Sequence, residues 1–269
     1  MTPLLGVRRW AASHLVMGTA LLVLLYMITP VLVVILMSFN DPASRLGYDF
    51  DGVTLDNWAN PCGPYQLCSS LLTSIEIGLL ATLVATLLGT LMAFAMIRHR
   101  FAGRSAANVF VFLPMASPEI VLGASLLALF VNGGFAGQLG FWTIFVAHVM
   151  FCLSFVVVTV KARLSGMDPA LEQAAMDLYA NPWQTFWRVT FPSVFPGILA
   201  AALLSFSLSF DDFIITNLNA GQTLTFPMFV WGAAQRGVPM QVNVVGTVMF
   251  LVALALVLAS GTFRGRRAR

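Results

Sequence analysis

Residues 120–160 read IVLGASLLALFVNGGFAGQLGFWTIFVAHVMFCLSFVVVTV and contain no Asp, Glu, Lys or Arg. A helix crosses the roughly 30 Å hydrocarbon core of a bilayer in about 20 apolar residues, so this stretch is long enough for two crossings. Near its middle, the run Asn132-Gly133-Gly134 and the following Gly137 are typical of a break between elements. The stretch therefore predicts two adjacent membrane-spanning helices with a short connection between them.

The rest of the chain has the same membrane character. Of its 269 residues, 59% are hydrophobic and 9% are charged, and the mean hydropathy is +0.87. The charged side chains are too few to cover a soluble domain of this length. Runs such as 79–95 do not alternate apolar and polar residues, as the strands of a membrane β-barrel do. We predict an all-α polytopic protein, one transmembrane domain over 1–269, with six spanning helices at 15–39, 71–97, 105–131, 139–161, 193–217 and 241–263.

The basic residues predict the orientation of these helices, because Lys and Arg accumulate in short cytoplasmic loops. Twelve of the 14 basic residues fall on one side of the six-helix arrangement, and only Arg45 and Arg236 fall on the other. Both termini are therefore expected in the cytoplasm. The first apolar segment is longer than a signal-peptide core, and no small-residue cleavage site precedes Asn40, which favours an uncleaved helix. The twelve basic residues predicted on the cytoplasmic side are Arg8, Arg9, Arg98, Arg100, Arg104, Lys161, Arg163, Arg188, Arg264, Arg266, Arg267 and Arg269.

Several kinds of chemistry are excluded by what the chain lacks. Its single lysine, Lys161, follows Val160, so no Gly-Lys-Ser/Thr phosphate loop is present. The three histidines are far apart in sequence and have no metal-ligand spacing, and His148 is interpreted as a hydrogen-bonded packing residue. The adjacent Asp211 and Asp212 point about 100° apart on a helix and cannot form a facing catalytic pair. We expect no catalytic residue, metal or cofactor in this chain, and no nucleic-acid partner.

The three cysteines differ in their predicted surroundings. Cys152 lies in an apolar segment and is interpreted as a packing residue. Cys62 and Cys68 lie in the outer loop between the first two helices, on the oxidising side of the membrane. Their spacing permits a disulfide, but spacing alone leaves open whether they pair.

The long polar loop at 168–192 is predicted to form two short helices on the cytoplasmic side. Asp168-Pro169 and Asn181-Pro182 each supply a cap residue followed by proline at the first helical position. An apolar stripe at i, i+3, i+4 and i+7 follows the first cap. It is typical either of a helix that seats in a partner's groove or of one that lies on lipid headgroups, where Trp183 and Trp187 would also fit. The stripe consists of Leu171, Ala174, Ala175 and Leu178.

This loop resembles the EAA loop of ABC importer permeases, whose pattern is Glu-Ala-Ala, three residues, Gly, nine residues, Ile, one residue, Leu-Pro. The chain has Gln173-Ala174-Ala175, Tyr179, Val189 and Phe191-Pro192 at that spacing. Four positions depart from the pattern, since Gln173, Tyr179, Val189 and Phe191 replace Glu, Gly, Ile and Leu. Glu172 is a candidate for the role of the missing acid.

The resemblance extends along much of the chain and implies a transport role. Residues 54–58, 98–104, 114–123 and 205–213 look like the spermidine/putrescine permease subfamily. It implies a six-helix type I importer permease in a bacterial inner membrane, surrounded by lipid. It also implies a second homologous permease, an extracytoplasmic binding protein and two cytoplasmic ATPases that bind ATP and Mg. The residues expected to couple to the ATPases are Leu171, Glu172, Gln173, Ala174, Ala175, Asp177, Leu178 and Tyr179.

Acidic residues inside predicted spans are the second functional signal. Each costs about 2.5 to 3.5 kcal/mol at a helix centre and is rarely placed against lipid. Four are found, Glu76, Glu119, Asp211 and Asp212, and no basic residue in a span interior offers a partner. They are candidates for a path taken by a cationic substrate, or else for packing contacts. Which of the two aspartates faces such a path is left open.

The outer loop contains a smaller candidate surface. Trp58, near Asp49, Asp51 and Asp56, is a candidate contact for the binding protein, and a solvated acidic loop with an interfacial tryptophan is the alternative.

The sequence thus favours a permease subunit of an ATP-driven importer for polyamines. The alternatives are a permease for another cationic or small organic solute, a transporter driven by protons through Glu119 and Asp211, and, last, an intramembrane enzyme.

Overall fold

The computed structural model describes the backbone of residues 3–43 and 49–267, and the side chains of 14–43 and 49–255. Several arginines used for the orientation lie outside the described side chains: Arg8, Arg9, Arg45, Arg264, Arg266, Arg267 and Arg269. Within the described residues, the only β feature is an isolated antiparallel bridge between Asn40 and Val53. The prediction of an all-α fold is therefore confirmed.

Helices account for most of the described chain. They are α1 (Pro3–Met37), α2 (Asp56–Ala59), α3 (Leu67–Arg98), α4 (Arg104–Ala116), α5 (Glu119–Phe130), α6 (Phe141–Ser165), α7 (Ala170–Asp177), α8 (Pro182–Thr185), α9 (Phe191–Asp211), α10 (Ile214–Asn219), α11 (Phe226–Ala234) and α12 (Met240–Arg267). A π-helical turn, Val131–Phe135, and a 3₁₀ turn, Ala136–Gln138, separate α5 from α6. The predicted break at 132–137 is thus present, with Gly134 in the left-handed region at φ 86°.

Five stretches in the described chain are long and apolar enough to cross a membrane. They are His14–Met37, Leu67–Arg98, Glu119–Gln138, Phe141–Ser165 and Pro182–Asp211. The sixth predicted span, 241–263, falls on α12, whose side chains are described only for Met240–Ala255, a shorter apolar stretch.

The third predicted span, 105–131, is not one continuous helix. It is divided into α4 and α5 at Ser117, whose backbone is extended at φ −83°, ψ 140°. The residue before a proline is disfavoured in the helical region, and Pro118 therefore ends α4. At the break, the Ser117 hydroxyl donates to the Leu113 carbonyl over 2.8 Å, so this carbonyl has a hydrogen-bond partner.

The fifth predicted span, 193–217, is also interrupted. Helix α9 ends at Asp211, and Asp212 is extended at φ −68°, ψ 126° before α10 begins at Ile214. No proline or glycine lies at this point, so the usual sequence signals of a break are missing.

The contacts group the described residues into two compact units. One unit takes its described residues from 3–43, 49–67 and 230–267, and the other is Cys68–Phe229. In the first, α1 packs against α12, and a Cβ added to Gly246 would lie 3.4 Å from Val34 Cγ1.

The second unit is centred on α6, which contacts α4, α5, α9 and α10. Its core is built from small and branched apolar side chains such as Ala147, Val156 and Ala201, all fully buried. Helix α3 packs against α6 at Gly89, where an added Cβ would lie only 2.7 Å from Val156 Cγ1. The polar groups described next are positioned by this packing.

Candidate functional site

The loop at 168–192 contains the two capped helices that its sequence predicts. Asp168 Oδ1 accepts from the Ala170 amide at 2.9 Å, where α7 begins. Asn181 Oδ1 accepts from the Gln184 amide at 2.8 Å, and Gln184 Oε1 accepts from the Asn181 amide at 3.1 Å. This capping box starts α8 with Pro182 at its first position.

Helix α7 ends in a tight turn at Tyr179. The Tyr179 amide donates to the Met176 carbonyl at 2.9 Å, and the Ala180 amide donates to the Ala175 carbonyl at 3.1 Å. These two bonds define a Schellman motif, whose turning residue is left-handed and is usually glycine. Tyr179 has φ 62°, so the tyrosine adopts the backbone conformation of the glycine it replaces.

Most of the predicted apolar stripe on α7 is exposed. Leu171 is 50% and Leu178 is 81% exposed, Ala174 is exposed, and Ala175 is half-buried. Gln173, Asp177 and the 97%-exposed Tyr179 extend this surface. Because apolar side chains in water are unfavourable, the surface is suited to a partner or to lipid headgroups.

Glu172 points to the other side of α7 and anchors it. Arg98 donates through Nη1 to Glu172 Oε2 at 2.6 Å and through Nη2 to Oε1. Thr190, just before α9, also donates its hydroxyl to Oε1. The hydrogen bond from Arg98, with that from Thr190, holds the pKa of the Glu172 carboxyl below its ordinary value despite its burial. Arg98 could not be predicted as the partner of Glu172, because the two residues are 74 positions apart in the chain.

An open cavity of about 320 Å³ lies beside this anchor. Its polar side is formed by Arg98, Glu172, Thr185 and Thr190, and its apolar side by Phe94, Met176, Pro182 and Phe186.

The candidate path carboxylates separate into two groups. Glu76 on α3, Glu119 in the first turn of α5 and Asp211 at the end of α9 are exposed. An ionised carboxylate is unfavourable against lipid, so these three are expected to face a partner subunit or an aqueous path.

Asp212 is buried and hydrogen-bonded. Its Oδ2 accepts from the Thr216 amide and from the Thr216 hydroxyl, each at 2.8 Å, and lies 3.3 Å from His148 Nε2. The sequence did not indicate that the His148 imidazole approaches Asp212, because this contact depends on the packing of α6 against α9. His148 is buried and hydrogen-bonded, as predicted.

The loop between α1 and α3 is held by side chains from both of its ends. Asn57 Nδ2 donates to the Asn40 carbonyl at 2.9 Å, and Trp58 Nε1 donates to Ser38 Oγ at 3.2 Å. The half-buried Trp58 ring stacks on Phe39 with centroids 5.4 Å apart. Much of this side chain is therefore occupied in ordering the loop. Cys62 and Cys68 are disulfide-bonded in the structure, and Cys152 is a free, buried thiol.

A family model described as "Binding-protein-dependent transport system inner membrane component" matches residues 85–265. The chain belongs to this family. It is thus a multi-pass inner-membrane permease subunit that is not itself an enzyme, and such permeases work with an ATPase and a binding protein.

Curated relatives cover most of the chain. It is 34% identical to the spermidine/putrescine transport system permease protein PotC of Haemophilus influenzae, over 87% of this chain and 90% of that protein. PotC of Escherichia coli K12 is also 34% identical, with 87% and 88% covered. The putrescine transport system permease protein PotI of that strain is 32% identical, with 83% and 81% covered.

Solved structures share the fold at low sequence identity. A bacterial ABC transporter involved in the import of the acidic polysaccharide alginate matches with a TM-score of 0.62 and 14% identity, covering 96% of both chains. An amino acid ABC transporter with histidines matches with a TM-score of 0.56 and 15% identity, covering 79% of this chain and 96% of that one. Both support a type I importer permease fold.

Proposed function

We propose that this chain is a transmembrane permease subunit of an ATP-driven importer for polyamines, with spermidine and putrescine as substrates. It forms half of the translocation path, and a second homologous permease forms the other half. The observation that carries the proposal is the set of exposed carboxylates Glu76, Glu119 and Asp211 on apolar helices. Polyamines carry two or more positive charges, so these carboxylates offer them a favourable route. The named relatives support the same substrate class.

The loop 168–192 couples this path to two cytoplasmic ATPases, which bind ATP and Mg. The exposed face of α7 supports docking, because its apolar side chains lack an intrachain cover. Glu172 then transmits the motion of α7 through Arg98 to α3 and through Thr190 to α9. The only lysine of the chain, Lys161, donates to Asn108 Oδ1 and has no phosphate-binding context.

The chain lies in a bacterial cytoplasmic membrane with both termini inside. The outer loop, ordered by Trp58, then faces the extracytoplasmic binding protein. Its exposed Val53 and Leu55 lie close in sequence to the carboxylates Asp51 and Asp56, which provides apolar and acidic contacts on one loop.

The complex of this chain with its copurifying partners, in lipid nanodiscs, tests the proposal. ATP hydrolysis should rise several-fold when the binding protein is added with spermidine or putrescine, and not when it is added with a neutral amino acid. Stimulation by another solute alone would replace the polyamine assignment. Uptake into cells that stops with an uncoupler and persists without the ATPases would instead indicate a proton-driven transporter.

A further inference from the structure

The break between α9 and α10 is built around the carboxylate of Asp212. In the buried interior of a protein, the amides of a new helical turn need partners, since water is scarce. Asp212 Oδ2 supplies one by accepting from the Thr216 amide at 2.8 Å, and it accepts from the Thr216 hydroxyl at the same distance. Asp212 thus provides an acceptor for an amide in the first turn of α10, from the extended residue that separates this helix from α9.

His148 joins the two sides of this break. Its Nδ1 lies 2.7 Å from Ser209 Oγ, on α9 before the break, and its Nε2 lies 2.9 Å from Thr216 Oγ1, on α10 after it. His148, Ser209, Asp212 and Thr216 are all buried. One imidazole on α6 therefore fixes both helix segments, and the break is a built feature of the fold.

Helix α10 is fixed at its other end as well. Thr143 Oγ1 on α6 donates to the Asn219 carbonyl at 2.7 Å, and Asn219 Nδ2 donates to the Gly123 carbonyl of α5 at 3.2 Å. A Cβ added to Gly123 would lie 3.2 Å from Ile215 Cα, so the α5 and α10 backbones are close. The short helix is thereby held between α5 and α6.

Asp211 has the opposite surroundings, although it is the adjacent residue. It is exposed at the last position of α9, whereas Asp212 is buried. Because Asp212 and its partners fix the backbone at the break, the direction in which the Asp211 side chain leaves the backbone is set. Pre-set charges bind a ligand with less ordering cost than mobile ones.

We propose that Asp212 is a positioning residue and that Asp211 is the carboxylate that meets the cationic substrate. The group of His148, Ser209, Asp212 and Thr216 holds the break so that Asp211 projects into the path. This assignment rests on the proposed function and names the charged group that the polyamine contacts.

Radiolabelled spermidine uptake into proteoliposomes containing the whole complex gives the first test. Asp211→Asn should raise KM about tenfold or more, whereas Asp212→Asn, which keeps an acceptor for Thr216, should raise it at most threefold. Thr216→Val should raise KM several-fold with kcat per assembled complex nearly unchanged, and Thr216→Ser should restore it. Asp211→Asn with Thr216→Val should match Asp211→Asn alone, because the network acts through Asp211.

Two results would overturn the assignment. An Asp212→Asn effect on KM as large as that of Asp211→Asn would mean that Asp212 meets the substrate itself. Losses confined to kcat and to the amount of assembled complex would mean that the network is only structural.

A second arm is independent of the substrate. Asp211→Cys, with Cys152 replaced by serine, should react readily with a water-soluble cationic thiosulfonate, and adding Thr216→Val should change that rate at least threefold. An unreactive Cys at 211, or an unchanged rate, would contradict the positioning role. If the wild-type complex takes up neither spermidine nor putrescine, the polyamine function fails, and this arm still decides the positioning claim.

Discussion

Arg98 Nη1 lies 2.6 Å from Glu172 Oε2, and this pair joins the last residue of α3 to the first turn of α7. The second guanidinium nitrogen donates to Oε1, so the contact is bidentate. Such a pair fixes orientation as well as distance, because the planar guanidinium matches the carboxylate. The loop at 168–192 is therefore attached to a candidate spanning helix by a directional contact.

Exchange of the two charges tests whether this contact couples the loop to the path. Glu172→Arg or Arg98→Glu alone should lower uptake per ATP hydrolysed several-fold, since each leaves like charges facing each other. The double exchange should recover much of the loss, as a pair worth about 1 kcal/mol is re-formed. Uptake and ATPase activity are measured on the same proteoliposomes. Arg100→Gln, at an exposed neighbouring arginine, is the matched control. If the double exchange gives no more uptake per ATP hydrolysed than the single variants, coupling through the pair is contradicted.

The pH dependence of the loop follows from the lowered pKa of Glu172. A carboxyl whose pKa is lowered in the folded state contributes stability above its ordinary value of 4.5, and that stability is lost as the pH falls through the lowered value. A nitroxide on Gln173→Cys should stay immobile from pH 8 to about 5 and become mobile as the pH falls through the lowered pKa of Glu172. Glu172→Gln should remove this transition, and a transition that persists in that variant would assign it to another group.

Tyr179→Gly should stabilise the end of α7. A left-handed residue other than glycine costs about 1 to 2 kcal/mol, and glycine's greater freedom in the unfolded chain offsets part of that. A net gain of about 1 kcal/mol corresponds to roughly fivefold slower amide exchange in α7. Leu178→Gly, at a position with φ −86°, is the control and should speed exchange. Faster exchange in Tyr179→Gly would show that the tyrosine ring contributes contacts worth more than the backbone strain.

Ala174→Glu tests the docking role of the apolar face. A charged side chain there is compatible with folding, because Ala174 is exposed, but it would be buried unpaired in an interface. We expect the complex to assemble in reduced amount and ATP hydrolysis to lose its dependence on substrate. Ala102→Glu places the same charge on an exposed alanine in the connection between α3 and α4, and this variant should transport normally. Unchanged transport in Ala174→Glu would exclude this face as the docking surface.

The helical architecture could be predicted from the sequence because apolar length is a local property. The break near 132–137 and both loop helices follow from glycine, proline and cap residues that lie within a few positions of each other. The break at Asp212 could not be predicted, since its cause is a carboxylate bonded to Thr216 and approached by His148, which lies on another helix.

The candidate site was predictable in its residue types and only partly in their roles. Carboxylates in apolar segments can be found from the sequence alone. Which of the two adjacent aspartates is buried depends on the packing of α6 against α9. The turn at Tyr179 could not be predicted from residue type, because such turns are usually assigned to glycine. It forms with tyrosine because the surrounding hydrogen bonds fix the backbone.

The most direct test of the polyamine importer account is radiolabelled spermidine uptake by proteoliposomes that contain the complete complex, with the binding protein outside and ATP supplied on the ATPase side. We expect uptake that requires ATP and the binding protein, persists with an uncoupler, and is reduced by excess unlabelled putrescine. Spermidine uptake that proceeds without ATP, or ATP-dependent uptake of a different solute with spermidine ignored, would contradict it.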